Sequence, residues 1–277
     1  MRVSVLGAGS WGTTVASLAA GRNEVTNWAR DAECAAEIAT EHRNSRYLDG
    51  YDLPANLGAT AVVVEAVRGA QVIVVGVPSH AFRATVEAAR PYVHPWIPIV
   101  SLAKGFEKGS MLRMTEVIKD VLPGHPAAAL SGPNLAKEIM SGQAAASVIA
   151  TEDLQVAAAL QQVLQRGLFR VYTNHDVVGC ELGGALKNVI AIATGMGEGL
   201  SAGDNTRSAV IARGLAELTR LGEAMGGHPA TFAGLAGLGD LLATCMSPLS
   251  RNRYVGEQLG KGRSLDDILD EMHMVAE

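Results

Sequence analysis

Along residues 1 to about 172 the hydrophobic positions fall into short runs divided by longer stretches with helical spacing. The runs Val3–Leu6, Val25–Ala29, Val72–Val77, Ile97–Ser101, Ala127–Leu130, Ala144–Ala150 and Leu168–Tyr172 predict strands. Asp31–Glu41, Ala81–Arg90, Met111–Val121 and Leu154–Arg166 predict amphipathic helices between several of them. Strands that are apolar nearly throughout need cover on both faces, which a parallel sheet with helical crossovers supplies. Right-handed crossovers then make an α/β doubly wound (Rossmann) domain the expected fold. Beyond Asn174 the strand pattern stops, and Glu181–Thr194, Thr206–Met225, Leu238–Thr244 and Ser264–Met272 predict helices. Ile211, Leu215, Leu218 and Met225 form an apolar stripe ended by Gly226-Gly227. The turn-rich Thr173-Asn174-His175-Asp176 marks the expected boundary between a first domain, 1–173, and an all-α domain, 174–277. Ligands of doubly wound sheets bind at the carboxyl ends of the strands, so the helical half is expected to roof that edge.

Composition narrows the partners. A formal net charge of −5 argues against nucleic acid, whose partners carry basic patches. Glycine is abundant at 31 of 277 residues while proline is only 10, so the glycines read as tight turns and close backbone approach, not as disorder. No continuous apolar run of spanning length and no signal-peptide order at the N-terminus are evident, so the expected setting is the cytoplasm, without membrane insertion. Cys34, Cys180 and Cys245 are too dispersed for a disulfide framework or zinc site, and the seven histidines are scattered; no metal is expected.

The sharpest local signal is Gly7-Ala8-Gly9-Ser10-Trp11-Gly12, which follows a predicted strand and opens a helical run. In a dinucleotide fold Gly7 makes the tight turn, Gly9 lets the backbone approach a pyrophosphate and Gly12 lets helix and strand close together, with the helix N-terminus facing the phosphates. An acidic residue at the end of the second strand would bond the ribose 2′-OH of NAD, but Arg30 stands there, followed by Asp31. A guanidinium there suits a 2′-phosphate, which favours NADP with NAD possible. The plainer alternatives are a solvated Arg30 and a helix-capping Asp31. Phe82, beyond Val77-Pro78-Ser79, lines the cofactor or packs in the core.

Polar residues also stand where apolar ones are expected. Lys104 follows a buried strand and precedes Gly105, at a strand's carboxyl end; a solvated loop lysine is the alternative. Lys187 lies in an apolar helix with Gly183, Gly184 and Ala191 at helical neighbour positions, small residues that clear a pocket around the amine. A partly desolvated amine there suits proton transfer, with Asn188 beside it; a snorkelling surface lysine is the alternative. Asp240 stands at an expected helix start, where a carboxylate also serves as an N-cap. Ser250-Arg251-Asn252-Arg253 forms a polar cluster suited to a phosphate or carboxylate, and Asn205-Thr206-Arg207 offers another polar corner.

These motifs, in order, resemble the soluble bacterial NAD(P)-dependent glycerol-3-phosphate dehydrogenases almost end to end: GAGSWGTT (7–14), WAR (28–30), VPSHAF (77–82), SLAKGFE (101–107), LSGPNLAKE (130–138), ELGGALKNVIAIA (181–193), DNTRSAVIARGLAE (204–217), AGLGDLLATC (236–245) and SRNRYVG (250–256). The resemblance implies that Lys187 is the proton donor and acceptor and that Lys104 touches both substrate and nicotinamide. It implies that Gly132 and Asn134 lie at the substrate and Ala136 near the cofactor. Asp240, Ser250, Arg251 and Asn252 would hold glycerol phosphate, with Arg251 also near the cofactor, while Ser10, Trp11 and Arg30 contact the dinucleotide. Val275 and Glu277 fall in what looks like the start of a further cofactor-contacting block. Family members continue through more helices beyond it, so the helical domain is expected to be cut short at its C-terminus.

The expected reaction is reversible reduction of dihydroxyacetone phosphate to sn-glycerol 3-phosphate, feeding glycerophospholipid synthesis, in a homodimer if the resemblance extends that far. Lys187 protonates the oxygen, Lys104 and Asn188 polarise it, and Asp240 orients Lys187 or a substrate hydroxyl. One rival is a 3-hydroxyacid or 6-phosphogluconate type dehydrogenase, which shares the two-domain plan but would need a carboxylate-binding set. The other is a non-catalytic dinucleotide sensor.

Overall fold

The computed structural model describes residues 1–272. Val275 and Glu277 lie outside the described residues. The chain divides into two compact units, one of residues 1–130 with 136–177, the other of 131–135 with 178 onward.

The first unit holds β1 (Arg2–Leu6), α1 (Ser10–Ala19), β2 (Glu24–Trp28), α2 (Ala32–Glu41), α3 (Ser45–Leu48), β3 (Leu57–Thr60), α4 (Val63–Val67), β4 (Val72–Val75) and α5 (Ser79–Ala89). It continues with β5 (Ile99–Ser101), α6 (Met114–Val121), β6 (Ala127–Ser131, its last residue in the other unit), α7 (Ala136–Met140), β7 (Ala145–Ala150), α8 (Leu154–Leu164) and β8 (Phe169–Asn174). The eight strands form one sheet in the order β3-β2-β1-β4-β5-β6-β7-β8. Pairs β1–β2, β2–β3, β1–β4, β4–β5, β5–β6 and β7–β8 run parallel. Order reverses between β1 and β4, the crevice where doubly wound sheets bind ligands.

Two-residue periodicity explains why both faces are apolar. Val72 and Val74 of β4 join one core with Val3 and Val5, covered by Val15 and Ala16 of α1, Ile38 of α2 and Leu160 of α8. Ile73 and Val75 join the opposite core with Leu6, covered by Val86 of α5 and Val117 and Ile118 of α6. Strand β3 escaped the pattern because Leu-Gly-Ala-Thr has little β-propensity; it forms by pairing with β2 at the sheet edge. Helix α6 starts three residues later than expected. Met111 takes φ 60° and Phe106 bridges Arg113, so the chain doubles back before Arg113 opens the helix. Thr173 and Asn174, expected in a turn, end β8.

The second unit holds α9 (Val177–Gly199, its first residue in the other unit), α10 (Asp204–Ala224), α11 (Pro229–Phe232), a π-helical turn at Leu235–Gly239, α12 (Asp240–Met246), α13 (Arg251–Gly260) and α14 (Leu265–Asp270). Its core joins Ala191, Ile211, Leu241 and Cys245. Helices α9 and α13 meet backbone to backbone. A Cβ on Gly256 would stand 2.0 Å from the Ile192 carbonyl oxygen, and one on Gly195 2.1 Å from that of Arg253. The polar cluster Ser250–Arg253 opens helix α13, an element outside the expected helices: Ser250 caps ten residues by accepting from Arg253 N–H at 3.2 Å. Val177–Gly199 and Pro229–Met246 reach the length and apolar content of a membrane span, a feature the sequence reading did not anticipate. Each nevertheless carries a buried ionic side chain, Lys187 and Asp240 respectively.

Candidate active site

The glycine loop sits at the carboxyl end of β1. Gly7 takes φ 123°, in the region only glycine adopts easily, and its missing Cβ leaves room for the Gly76 carbonyl, 2.6 Å from where that atom would stand. A Cβ on Gly12 would lie 2.1 Å from the Gly7 carbonyl oxygen, so the helix closes on the turn only with glycine there. Gly9 differs: nothing lies within 4 Å of a Cβ built on it. That open space lies against the first turn of α1, which has no side-chain cap and no acidic residue. A dinucleotide pyrophosphate fits such a cradle, because exposed backbone N–H groups and the helix dipole both favour an anion.

A buried amide network braces the loop from behind. Asn27 Nδ2 donates to the Val5 and Gly7 carbonyls at 3.0 and 3.1 Å, and its Oδ1 accepts from the Thr13 hydroxyl at 3.4 Å. Asn44 Nδ2 donates to the Ala8 carbonyl and to Thr13 Oγ, both at 2.9 Å. Beyond β2, Arg30 is exposed. Asp31 caps α2, accepting from Glu33 N–H at 2.9 Å and from Cys34 N–H at 3.4 Å, and pairs with Arg46 at 3.3 Å. Its carboxylate is thus engaged in the cap and the ion pair.

Further along the unit, Lys104 lies half-buried in the loop after β5. Of the two readings left open for Phe82, lining the cofactor or packing in the core, the structure has the second: Phe82 has no exposed surface and packs in the core of α5 and α6. It faces inward because it shares a helix face with Val86 and Ala89.

In the second unit the polar centre gathers around Lys187, only 4% exposed. Its Nζ donates to Thr244 Oγ at 2.8 Å and Asn188 Oδ1 at 3.0 Å, and stands 3.6 Å from Asp240 Oδ1. The Thr244 hydroxyl donates to the Asp240 carbonyl at 2.7 Å, which turns its oxygen lone pairs toward the lysine. Asn188 Oδ1 also accepts from Asn252 Nδ2 at 2.9 Å. Asn252 Oδ1 is buried with no partner among the described residues, an acceptor that a ligand donor would satisfy. Asp240, 2% exposed, is the first residue of α12, and the cap is Gly239 instead. At Gly183 the small residues around Lys187 admit another part of the chain. A Cβ on Gly183 would stand 2.5 Å from the Ala236 carbonyl oxygen, so Gly183 admits the π-helical turn that delivers Asp240.

The description "NAD-dependent glycerol-3-phosphate dehydrogenase N-terminus" matches residues 2–157, and its C-terminal counterpart matches residues 176–277. The chain belongs to the NAD-dependent glycerol-3-phosphate dehydrogenase family. It is 60% identical to glycerol-3-phosphate dehydrogenase (NAD(P)+) 2 of Sphingopyxis alaskensis, over the whole chain and 83% of that relative. It is 54% identical to glycerol-3-phosphate dehydrogenase (NAD(P)+) of Mycobacterium avium, over the whole chain and 81% of that relative. The crystal structure of glycerol-3-phosphate dehydrogenase from Coxiella burnetii superposes with a TM-score of 0.95 at 37% identity, over 99% of this chain and 85% of that one.

Within this dehydrogenase, the structure brings Lys187, Asn188, Asp240 and Asn252 together in one hydrogen-bonded group. Ser250 and Arg251 stand at the adjoining N-terminus of α13, Ser250 buried and Arg251 exposed. Arg253, from the same cluster, is buried and ties α13 down, donating to the Ser247 carbonyl at 3.0 Å and pairing with Glu198 and Glu257. Gly132 takes φ 136° just after β6, with Asn134 two residues on and Ala136 opening α7. Among the described residues no group of three or more His, Cys, Asp or Glu side chains is placed to hold a metal.

Sequence reasoning missed Thr244, Asn27 and Asn44. Thr244 carried a signal, standing one helical turn after Asp240. Asn27 did too, for it occupies a core-facing position of β2 beside Val25. Asn44 carried none, since only the fold brings it 36 residues back to Ala8.

Proposed function

We propose that this dehydrogenase catalyses the reversible NAD(P)H-dependent reduction of dihydroxyacetone phosphate to sn-glycerol 3-phosphate. The observation that carries the reading is the buried Lys187, faced by Thr244, Asn188 and Asp240, in a chain matched along its length by this family. Residues 1–173 bind the dinucleotide and 174–277 the three-carbon phosphate.

When bound, the nicotinamide supplies or accepts the hydride. Gly7, Gly9 and Gly12 form the pyrophosphate cradle, and Ser10, Trp11, Lys104, Ala136 and Arg251 complete the cofactor set. Lys187 gives its proton to the C2 oxygen during reduction and takes it back during oxidation. Lys104 and Asn188 donate to the same oxygen as it gains charge. Asp240 and Thr244 hold the Lys187 amine in place, so it meets the oxygen without first reorganising. Gly132, Asn134, Ser250, Arg251 and Asn252 hold the phosphate and hydroxyl ends, Arg251 as the phosphate's charged partner.

NADP is preferred. Arg30 is exposed at the end of β2, while the neighbouring carboxylate is engaged by the α2 cap and Arg46. That arrangement welcomes a 2′-phosphate and leaves NAD usable. The enzyme works in the cytoplasm, and its product enters glycerophospholipid synthesis.

The test is the absorbance loss of NADPH, then NADH, with dihydroxyacetone phosphate as acceptor, in wild type and Lys187→Ala. Turnover should be faster with NADPH and should fall by about 10³-fold or more in the variant, while NADPH binding is retained. A wild-type chain that binds NADPH but reduces no ketone supports the sensor reading. Near-normal kcat in the variant removes Lys187 from the mechanism.

A further inference from the structure

From an ion pair outside the expected site, we infer that Arg83 and Glu107 are positioning residues for Lys104. The inference rests on the role proposed above for that lysine.

The loop between β5 and α6 carries Lys104, and Glu107 is its hub. Arg83 of α5 grips the Glu107 carboxylate with both prongs, Nε to Oε1 at 2.6 Å and Nη2 to Oε2 at 3.1 Å. The Ser110 hydroxyl donates to the same carboxylate. On the backbone, Glu107 N–H donates to the Leu112 carbonyl at 2.9 Å, and the Glu107 carbonyl accepts from Met111 N–H at 3.0 Å. The fork is itself anchored: Arg83 Nη1 donates to Asp120 Oδ2 of α6 at 2.6 Å and lies 3.9 Å from Glu87 of its own helix. On the same side of Lys104 and directly after it, Gly105 lies so close to the start of α5 that a Cβ there would meet Ser79 Oγ at 2.8 Å. Ala103 N–H donates to Ser101 Oγ at 3.2 Å as the chain leaves β5.

Lys104 therefore sits between the Ser101–Ala103 tie at the end of β5 and two successive anchors, Gly105 and Glu107, against α5. A long, flexible side chain reaches a reacting atom reproducibly only if its backbone is held, and a bidentate guanidinium–carboxylate pair fixes orientation as well as distance. Glu107 is only 17% exposed and Arg83 30% exposed at their side chains, so the pair is more than a solvated surface contact. Neither residue needs to touch substrate.

The experiment is a double-variant cycle on dihydroxyacetone phosphate reduction with Lys104→Ala, Glu107→Gln and the two combined. Hydrogen exchange across residues 102–113 is followed in each, and Arg83→Lys and Arg83→Gln are run beside them. Glu107→Gln should lower kcat/KM about ten-fold in the wild-type background and less than about two-fold on top of Lys104→Ala. Loop exchange should speed up in Glu107→Gln and Arg83→Gln but not in Lys104→Ala. Arg83→Lys, which keeps the charge and loses the fork, should fall between wild type and Arg83→Gln. If the losses from Glu107→Gln and Lys104→Ala multiply, or if the loop loosens without loss of kcat/KM, the pair does not act through Lys104 and the inference is overturned. Near-wild-type kinetics in Lys104→Ala itself would remove the lysine's proposed role, and this inference with it.

Discussion

Lys187 and Asp240 are both almost fully buried, at 3.6 Å from each other. Burying two charges costs several kcal/mol each, which only close pairing and further hydrogen bonds offset. Here Thr244 and Asn188 supply those bonds at 2.8 and 3.0 Å. Removing one partner is then worse than removing both. Asp240→Ala should lower unfolding stability by about 3–5 kcal/mol in denaturant titration, and Lys187→Met with Asp240→Leu should recover most of that while remaining inactive. An unchanged midpoint in Asp240→Ala would mean the pair is solvated. In the other unit, Asn27→Ala strips the donors from the Val5 and Gly7 carbonyls and should cost about 1–3 kcal/mol. It should also weaken NADPH binding in a fluorescence titration, because the glycine turn loses its brace; unaltered affinity would separate the network from the cofactor cradle.

Between elements, the decisive contact in the helical unit is the meeting of α9 and α13. Glycines alternate from both sides: Gly195 and Gly199 of α9 face the Arg253 and Glu257 carbonyls, and Gly256 and Gly260 of α13 face those of Ile192 and Met196. Backbones that close bring Asn252 within 2.9 Å of Asn188, which ties α13 to the lysine centre. One methyl group in that interface has nowhere to go, since the obstructing atoms are backbone. Gly256→Ala should lower the melting temperature by roughly 4–8 °C, the shift expected per kcal/mol in a domain of about this size, or by more. It should also raise KM for dihydroxyacetone phosphate more than it lowers kcat. A variant with wild-type KM would show that the position of α13 does not govern the substrate site.

Over the whole chain, the clearest pH response comes from carboxylates paired with cations. Glu107 is held below the usual carboxylate range by the Arg83 fork first and by the Ser110 hydroxyl second. Hydrogen bonding from Lys261 does the same to Glu257, and from Arg263 to Glu271. Groups whose folded pKa is depressed contribute stability that is fully present above their unfolded values and is lost as pH falls through the folded ones. The melting temperature should therefore be level from neutrality down to about pH 5 and fall as pH drops below about 4. Glu107→Gln and wild type should converge in stability at the acid end. Stability lost on raising pH through the same window would contradict these pairings. The buried Cys34 and Cys245 thiols are pushed up by desolvation, so both should react slowly with thiol reagents until the protein unfolds.

What could be read along the chain was whatever depends on neighbours in sequence. Two-sided apolar strands required a covered sheet, the strand–glycine–helix order required a tight turn beneath an anion, and Lys187 stood out because a charge in an apolar helix needs a reason. The alternation that buries Val72 with Val74 and Ile73 with Val75 on opposite faces is local, and so it was legible. The tertiary structure decided how each polar group is satisfied. Gly183 makes way for the chain's own Ala236, Ser250 caps and Arg253 belongs to helix α13, and Phe82 turns into the core. Thr244 reaches Lys187 across 57 residues and Asn44 reaches Ala8 across 36. Such pairings follow from packing: a hydrogen bond between distant residues forms only where the surrounding helices bring donor and acceptor within about 3 Å, and no local periodicity records that distance.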